Sequence, residues 1–380
     1  SQNTEFDFKL LKEFNRYHHQ EQKLQSEQNG NLLISTLPVK LVLRLLLEAT
    51  EYRDNPDTNN PTAIELKQIL SNQSMHETDK IYENLLKNSI ADSYKLNIAT
   101  KLFIDDSIEL KSNYTNLLDE KYQAIVKNLN FSDTESVAEE INGWCSNATR
   151  GHINEIISET DIENVQMLIA NAIYFKGKWQ WPFNEKKTHE QAFYVDERTK
   201  VYTNFMQETT KFSYYYCQDM RADILRLPYE GNRFSMIVIF PDKGVQLDEI
   251  IDGLDANTLQ KIENKFKNIQ ITVTLPKFKL EHTIELNDIL RSLGIQEIFT
   301  NNANFPLLSS SRLKVTKIKQ KSGITVDEQG SEASAATVSL ISTRRAPAKL
   351  LINRPFLFII DDKLTNELLF IGKIVNPKLG

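Results

Sequence analysis

The segment 327–348 constrains the fold of this chain more than any other, because its residues suit two different conformations. From Ser331 to Arg344 the only formal charges are those of Glu332 and Arg344. Ordinary surface loops are polar and rich in Gly, Pro, Asn and Asp, whereas this run has the small and β-branched residues of a strand that can be buried. A loop that can also be a strand predicts a conformational switch, and the Arg344-Arg345 pair at its end predicts a site of protease attack.

The composition is that of a globular protein, with 40% hydrophobic and 25% charged residues in a chain of 380. A net charge of −6 argues against a general nucleic-acid binder, which usually has a basic balance. No run of about 20 apolar residues occurs, so we expect no membrane span. Cys145 and Cys217 are too few for a disulfide scaffold, and we expect two buried free thiols.

The chain begins at Ser1 without a methionine or a signal peptide, as a processed mature chain or a recombinant one would. Four Asn-x-Ser/Thr tripeptides are possible glycosylation sites, and they mildly favour a secreted, extracellular glycoprotein. Their asparagines are Asn72, Asn113, Asn130 and Asn147.

Helix signals dominate the first 165 residues and strand signals dominate later, which predicts an α+β fold. Phe6, Leu10, Phe14 and Tyr17 recur at helical spacing. Further helices are predicted at 37–49, 75–86, 136–146 and 284–293. Strands are predicted at 31–35, 168–175, 211–216, 222–227, 235–240, 268–275 and 313–326. Without repeats or a long linker, 1–380 is predicted to be a single domain.

The sequence has no local mark of catalysis or metal binding. None of the six histidines has metal-ligand spacing with a cysteine or a second histidine. His-Glu-x-x-His, Gly-x-Ser-x-Gly and a phosphate-binding glycine loop are all missing. We therefore predict a protein that is not an enzyme and that needs no cofactor or metal.

Basic residues alternate at Lys317, Lys319 and Lys321, and they would share one face of a strand. A polyanion such as heparin could bind that face. A solvated strand face explains the pattern as well, and it is favoured because no second basic row accompanies the first.

Several blocks, in order and spread over nearly the whole chain, resemble the serpins. Asn171-Ala-Ile-Tyr-Phe-Lys-Gly-Lys-Trp179 is similar to the most recognisable internal block of that family. The other matching blocks are Leu227-Pro-Tyr-Glu-Gly231, Leu275-Pro-Lys-Phe278, Asn353-Arg-Pro-Phe-Leu-Phe358 and Phe370-Ile-Gly-Lys-Ile-Val-Asn-Pro377.

The resemblance implies three β-sheets, about nine helices and an exposed reactive loop at about 328–352. It also implies a metastable monomer that acts as a suicide-substrate inhibitor. When a protease cuts the loop, the N-terminal half of the loop inserts into the main sheet as a new strand. The protease is dragged along and trapped as a covalent acyl-enzyme.

The first part of the loop, which the resemblance identifies as a hinge, meets the physical demands of insertion. Gly330 supplies the backbone freedom to bend. Alternate residues share one face of a strand, and those from Ser331 to Thr343 carry no charge, so burial leaves no unpaired charge, which would cost several kcal/mol. On the other face only Glu332 is charged. The hinge residues that follow the inhibitory pattern of the family are Glu328, Gly330, Ser331, Glu332, Ala333, Ser334, Ala335 and Ala336.

By the usual loop length of the family, the scissile bond lies between Arg344 and Arg345, and a count back from Asn353 gives the same register. An arginine before that bond fits a pocket with a buried carboxylate, which predicts a trypsin-like serine protease as the target. Cleavage after Arg345 is the alternative register. A non-inhibitory binding or carrier serpin and an inhibitor of a cysteine protease remain the alternative functions.

Two positions in the region that controls sheet opening depart from the family pattern. Ser35-Thr-Leu-Pro38 replaces Ser-Pro-x-Ser, and Gln320 replaces a histidine found in many members. An amide has both a donor and an acceptor, so Gln320 can still bridge backbone groups. By resemblance, Lys277 and Glu328 pair to hold the top of the sheet closed, and Trp179 lies in the same region.

Overall fold

The computed structural model describes residues 4–25, 30–70, 75–87, 90–91, 93–329 and 346–379. Within these ranges the chain forms nine α-helices and fifteen β-strands, and the predicted α+β class is confirmed. The predictions for Asn72, for 330–336 and for Arg344 and Arg345 lie outside the described residues.

The helices of the described residues cluster in the first half of the chain. They are α1 Glu5–Gln25, α2 Thr36–Glu48, α3 Pro61–Ile69, α4 Met75–Lys87, α5 Ser112–Tyr122, α6 Thr134–Ala148, α7 Leu247–Gly253, α8 Thr258–Glu263 and α9 Asn287–Ser292.

The strands occupy most of the second half. They are β1 Leu32–Ile34, β2 Ile90–Ala91, β3 Tyr94–Asp105, β4 Ile125–Leu129, β5 Met167–Gly177, β6 His189–Tyr194, β7 Lys200–Cys217, β8 Ala222–Pro228, β9 Phe234–Pro241, β10 Lys267–Pro276, β11 Phe278–Glu285, β12 Lys317–Val326, β13 Ala348–Leu351, β14 Phe356–Asp362 and β15 Glu367–Ile374.

A six-stranded sheet has the order β11-β12-β5-β3-β2, with β4 paired to β3. Ten of the eleven residues of β5 are buried, because this strand is covered on both faces. On one face lies α2, which contacts β5 and β3 here and β15 of the second sheet. On the other face lies α6, which shares a separate apolar cluster with β3, β4 and β5.

A nine-stranded sheet has the order β1-β15-β14-β9-β8-β7-β10-β13, with β6 paired to β7. The first part of the long strand β7 pairs with β6 and its last part with β8. Hydrogen bonds therefore join the two further sheets implied by the resemblance into one, through β7.

Two predicted elements begin later in the structure than the sequence indicates. The helix predicted at 284–293 begins only at Asn287, because Ile284 and Glu285 pair with β12 as the end of β11. The strand predicted at 313–326 begins only at Lys317. The twelve-residue strand β3 was not predicted, so the segregation of helices before strands is incomplete.

Both cysteines are buried free thiols, as predicted. Burial raises the pKa of the Cys145 thiol to about 12, so this thiol is unreactive at neutral pH. No helix in the described ranges is long and apolar enough to cross a membrane. The same part of the chain contains no group of three or more His, Cys, Asp or Glu side chains placed to hold a metal ion.

Candidate functional site at the seam of the six-stranded sheet

The seam is the ladder that joins β5 to β12 in the middle of the six-stranded sheet. The two strands run parallel, from the pair Lys317 and Leu168 to the pair Ile324 and Phe175. Parallel ladders are slightly less stable per residue than antiparallel ones. The predicted reactive loop leaves the sheet where β12 ends, at Val326. The seam therefore lies directly beneath the start of the loop.

Glu328 anchors the start of the predicted loop through its side chain and its backbone. Only 6% of the residue is exposed. Its carboxylate lies 2.7 Å from Lys277 Nζ, which is the pair that the resemblance implies, and it accepts a hydrogen bond of 2.6 Å from Thr188 Oγ1. Its backbone oxygen accepts from Phe183 N at 3.2 Å. The role of this contact in sheet opening stays a prediction.

The Glu328 carboxyl is ionised at neutral pH. Burial by itself raises its pKa, but the hydrogen bonds from Lys277 and Thr188 outweigh burial and hold the pKa below its usual range. The contact therefore weakens only in acid, when the carboxylate takes up a proton.

Trp179 lies at the loop end of the seam. Its ring stacks on that of Tyr229, with ring centroids 4.4 Å apart. Its indole Nε1 donates to Asp327 O at 2.7 Å, and its backbone N donates to Gln329 O at 2.9 Å. A Cβ at Gly177 would lie 2.4 Å from the Tyr229 ring, so only glycine allows this close approach.

Gln320 is fully buried in the middle of the seam. Its Oε1 accepts from Ser35 N at 3.0 Å and its Nε2 donates to Ser35 O at 2.9 Å, so the amide bridges both backbone groups of Ser35. Nε2 also lies 3.2 Å from Asn171 Oδ1 on β5, and Asn171 Nδ2 donates to Thr100 on β3. The network ties three strands to the start of α2.

The alternating lysines of β12 are neutralised by carboxylates. Lys317 and Lys319 both bind Asp161, and Lys317 also lies 3.4 Å from Glu285. Lys321 lies 3.9 Å from Glu281. Each lysine side chain is 18% exposed or less. This arrangement disfavours a polyanion site on the lysine face.

The far end of the predicted loop is anchored in the nine-stranded sheet. Residues Ala348–Leu351 form β13, which pairs in parallel with β10 from Ile271 to Thr274. The loop, predicted at about 328–352, is therefore shorter than the sequence indicates at this end. The described chain leaves one sheet after β12 and enters the other at β13.

Three of the four predicted glycosylation sites lie within the described residues, and all three are exposed. Asn113 lies in the first turn of α5, Asn130 precedes α6, and Asn147 lies in the last turn of α6.

Several residues of the site are not among those predicted from the sequence. Asn171 carries a detectable signal, because it is an amide in an otherwise apolar run. Thr188 and Asp161 carry none, since an isolated threonine or aspartate in a polar stretch is unremarkable. Their contacts join residues 140 and 158 positions apart in the chain.

Comparisons with known proteins agree with this geometry. The model of the family described as serpin (serine protease inhibitor) matches residues 1–377. Serine protease inhibitor 2 of Anopheles gambiae is 34% identical over 384 residues, covering 98% of this chain and 91% of that protein. The human plasma serine protease inhibitor is 32% identical, covering 81% of this chain and 76% of that protein.

The crystal structure of mouse protein-Z dependent protease inhibitor has the same fold, with a TM-score of 0.86. The match covers 99% of this chain and 96% of the mouse protein, at 24% identity.

Proposed function

This chain belongs to the serpin family of serine protease inhibitors, and we propose that it is a suicide-substrate inhibitor of trypsin-like serine proteases. The protease serine attacks the carbonyl carbon of Arg344, and the peptide bond to Arg345 breaks. The new amine of Arg345 leaves with a proton. An ester then joins Arg344 to the protease, and insertion of the loop prevents its hydrolysis.

The parallel seam is the observation that carries this proposal. A strand that turns back from the end of β12 runs antiparallel to β12. Because β5 is parallel to β12, the same strand also runs antiparallel to β5. Insertion at the seam thus replaces one parallel ladder with two antiparallel ones, which are slightly more stable per residue.

The segment before Arg344 is long enough to run the whole length of the seam. The thirteen residues 331–343 would span about 44 Å as an antiparallel strand. The ten residues of β12 span about 33 Å. Full insertion therefore carries Arg344 past the opposite end of β12, far from the place where cleavage occurred.

Arg344 supports the trypsin-like target. A guanidinium forms a bidentate, charge-assisted contact with a carboxylate at the base of a specificity pocket. Specificity for the residue before the scissile bond is set by such a pocket in serine proteases.

The test is to mix the protein with trypsin and to look for a complex that survives denaturing electrophoresis. We expect wild type to form it and Arg344→Ala to lose both the complex and the inhibition. Arg345→Ala is the matched control and should keep both. If the control loses inhibition and Arg344→Ala keeps it, cleavage occurs after Arg345.

If wild type yields only cleaved inhibitor and active trypsin, the trypsin-like assignment fails. A panel with cysteine proteases then separates a different target class from a non-inhibitory binding protein.

We also propose an extracellular location, supported by the exposure of Asn113, Asn130 and Asn147. Expression through a eukaryotic secretory pathway should give a glycoprotein that loses mass when a glycosidase removes N-linked sugars. An unchanged mass would count against glycosylation at all four sites.

A further inference from the structure

The seam separates two bodies that must move apart for a strand to enter. We call the first the α6 body: β3, β4, β5, α6 and the segment 149–166 that follows α6. An apolar cluster holds it together, and no residue of β11 or β12 belongs to that cluster as the structure describes it. The second, the β12 body, consists of β11 and β12, which pair over eight positions.

Asp161 belongs to the α6 body but binds the β12 body. It lies in the short 3-10 helix Glu159–Ile162, which packs against α6. Its Oδ1 lies 3.0 Å from Lys317 Nζ and its Oδ2 lies 2.7 Å from Lys319 Nζ. Both lysines project to the same face of the sheet as Leu168 and Ala170, which contact the α6 cluster.

The Asp161 carboxylate is strongly held. Only 12% of its side chain is exposed. Burial by itself raises its pKa, but hydrogen bonds from Lys319, from the backbone N–H of Ser158 and from Lys317 outweigh burial, and the pKa lies well below its usual range. The carboxylate is therefore ionised at neutral pH, as the contact with the two lysines requires.

The contact lies at the end of the seam opposite the loop. Lys317 is the first residue of β12, whereas the loop leaves after Val326. A strand that enters from the loop end reaches Lys319 and Lys317 last. Its arrival widens the space between β5 and β12 by about 4.8 Å, which is enough to break contacts of 2.7 and 3.0 Å.

We propose that Asp161 is a latch whose release sets how fast the inserting strand completes its entry. This inference rests on the proposed inhibitory function. Asp161 does not touch the protease or the scissile bond; it is a positioning residue that acts through Lys317 and Lys319. In this proposal Lys317 and Lys319 serve to bind Asp161 across the closed seam.

The variant that tests the latch is Asp161→Asn, which keeps the shape and one hydrogen-bond acceptor but removes the charge. Glu285→Gln is the matched control, because Glu285 also binds Lys317 but lies on β11, within the β12 body. Lys319→Gln removes the same contact from the opposite side of the seam.

The measurement is thermal unfolding of each protein before and after the loop is cut by a protease that is not trapped. We expect Asp161→Asn to lower the unfolding midpoint of the uncut form and to leave that of the cut form unchanged. On gentle heating, its inhibitory activity should decay about tenfold faster, as loss of one buried charge-assisted hydrogen bond predicts. Lys319→Gln should show the same two changes. The double variant Asp161→Asn/Lys319→Gln should lower the unfolding midpoint of the uncut form little further, and Glu285→Gln should match wild type.

The outcomes separate the latch from the proposed function. If wild type gains no thermal stability on cleavage, insertion itself fails. If wild type gains stability but Asp161→Asn lowers both forms equally, Asp161 merely stabilises the α6 body and the latch is wrong. A Glu285→Gln variant as unstable as Asp161→Asn would also overturn it.

Discussion

At the scale of single residues, Gln320 shows how one amide can occupy a position where many serpins have a histidine. A neutral imidazole offers one donor and one acceptor, and an amide offers both types as well. The structure uses both on the backbone of Ser35 and extends the network to Asn171. The amide at this position therefore bridges the two backbone groups of Ser35, as the sequence predicts.

We predict that Gln320→Ala destabilises the uncut protein by about 1–3 kcal/mol, because the backbone N–H of Ser35 is left buried without its partner. Gln320→His should lose less stability than Gln320→Ala. Chemical denaturation of the three proteins measures the difference. An alanine variant as stable as wild type would show that the network contributes nothing to the closed sheet.

At the scale of elements, β12 has two faces with different tasks. Its buried face carries Ile318, Gln320 and Ser322, which face the core and the start of α2. Its other face carries lysines that meet carboxylates on β11 and after α6. A new strand beside β12 must fit both environments, so an unpaired charged side chain on that strand is disfavoured.

We expect Ala335→Arg to turn the inhibitor into a substrate. Ala335 lies outside the described residues, but its place in the alternation of 331–343 puts a charged side chain on the inserting strand. Burying that charge costs several kcal/mol and slows insertion. Electrophoresis of a mixture with trypsin should then show cleaved inhibitor and little complex, whereas Ala335→Ser should form complex normally. Stable complexes with the arginine variant would argue against insertion.

At the scale of the whole molecule, the docking of α1 onto the six-stranded sheet creates a dependence on pH. His282 on β11 packs edge-on against Phe14 of α1, with ring centroids 5.1 Å apart, and beside His18 at 5.3 Å. Burial, and to a lesser extent the charge of His18, lower the pKa of His282 to about 3.

The pKa of His282 in the folded protein lies below the value of about 6.5 in the unfolded chain, so the unfolded state binds more protons at pH values between these two. The contribution of His282 to the free energy of unfolding is therefore complete above about pH 6.5 and is lost as the pH drops toward 3. Unfolding midpoints from pH 8 to 4 should show this fall, and His282→Gln should flatten it. The exposed His189→Gln is the control, and a profile equally flattened in that variant would contradict the assignment.

Much of the fold was predictable because it depends on local patterns. The 3.6-residue period predicted α1, and continuous apolar runs predicted α2 and β5. Prediction failed at the boundary between β11 and α9, where pairing of Ile284 with Gln320 overrides the apolar spacing that resembles a helix. It also missed β3, whose Lys, Asn and Thr residues hide its strand character.

The sequence by itself determined the family and the uncharged alternation of 331–343, since both are read from short blocks of neighbouring residues. The arginine before the scissile bond stays a prediction. Only the tertiary structure decided that Gln320 meets Ser35 and that Lys319 meets Asp161, contacts that join residues 285 and 158 positions apart. Such contacts depend on the order of the strands in a sheet, and local sequence patterns do not specify that order. For the same reason the sequence does not distinguish Lys317 and Lys319 from a solvated strand face, whereas in the structure both bind one carboxylate, that of Asp161, across the seam.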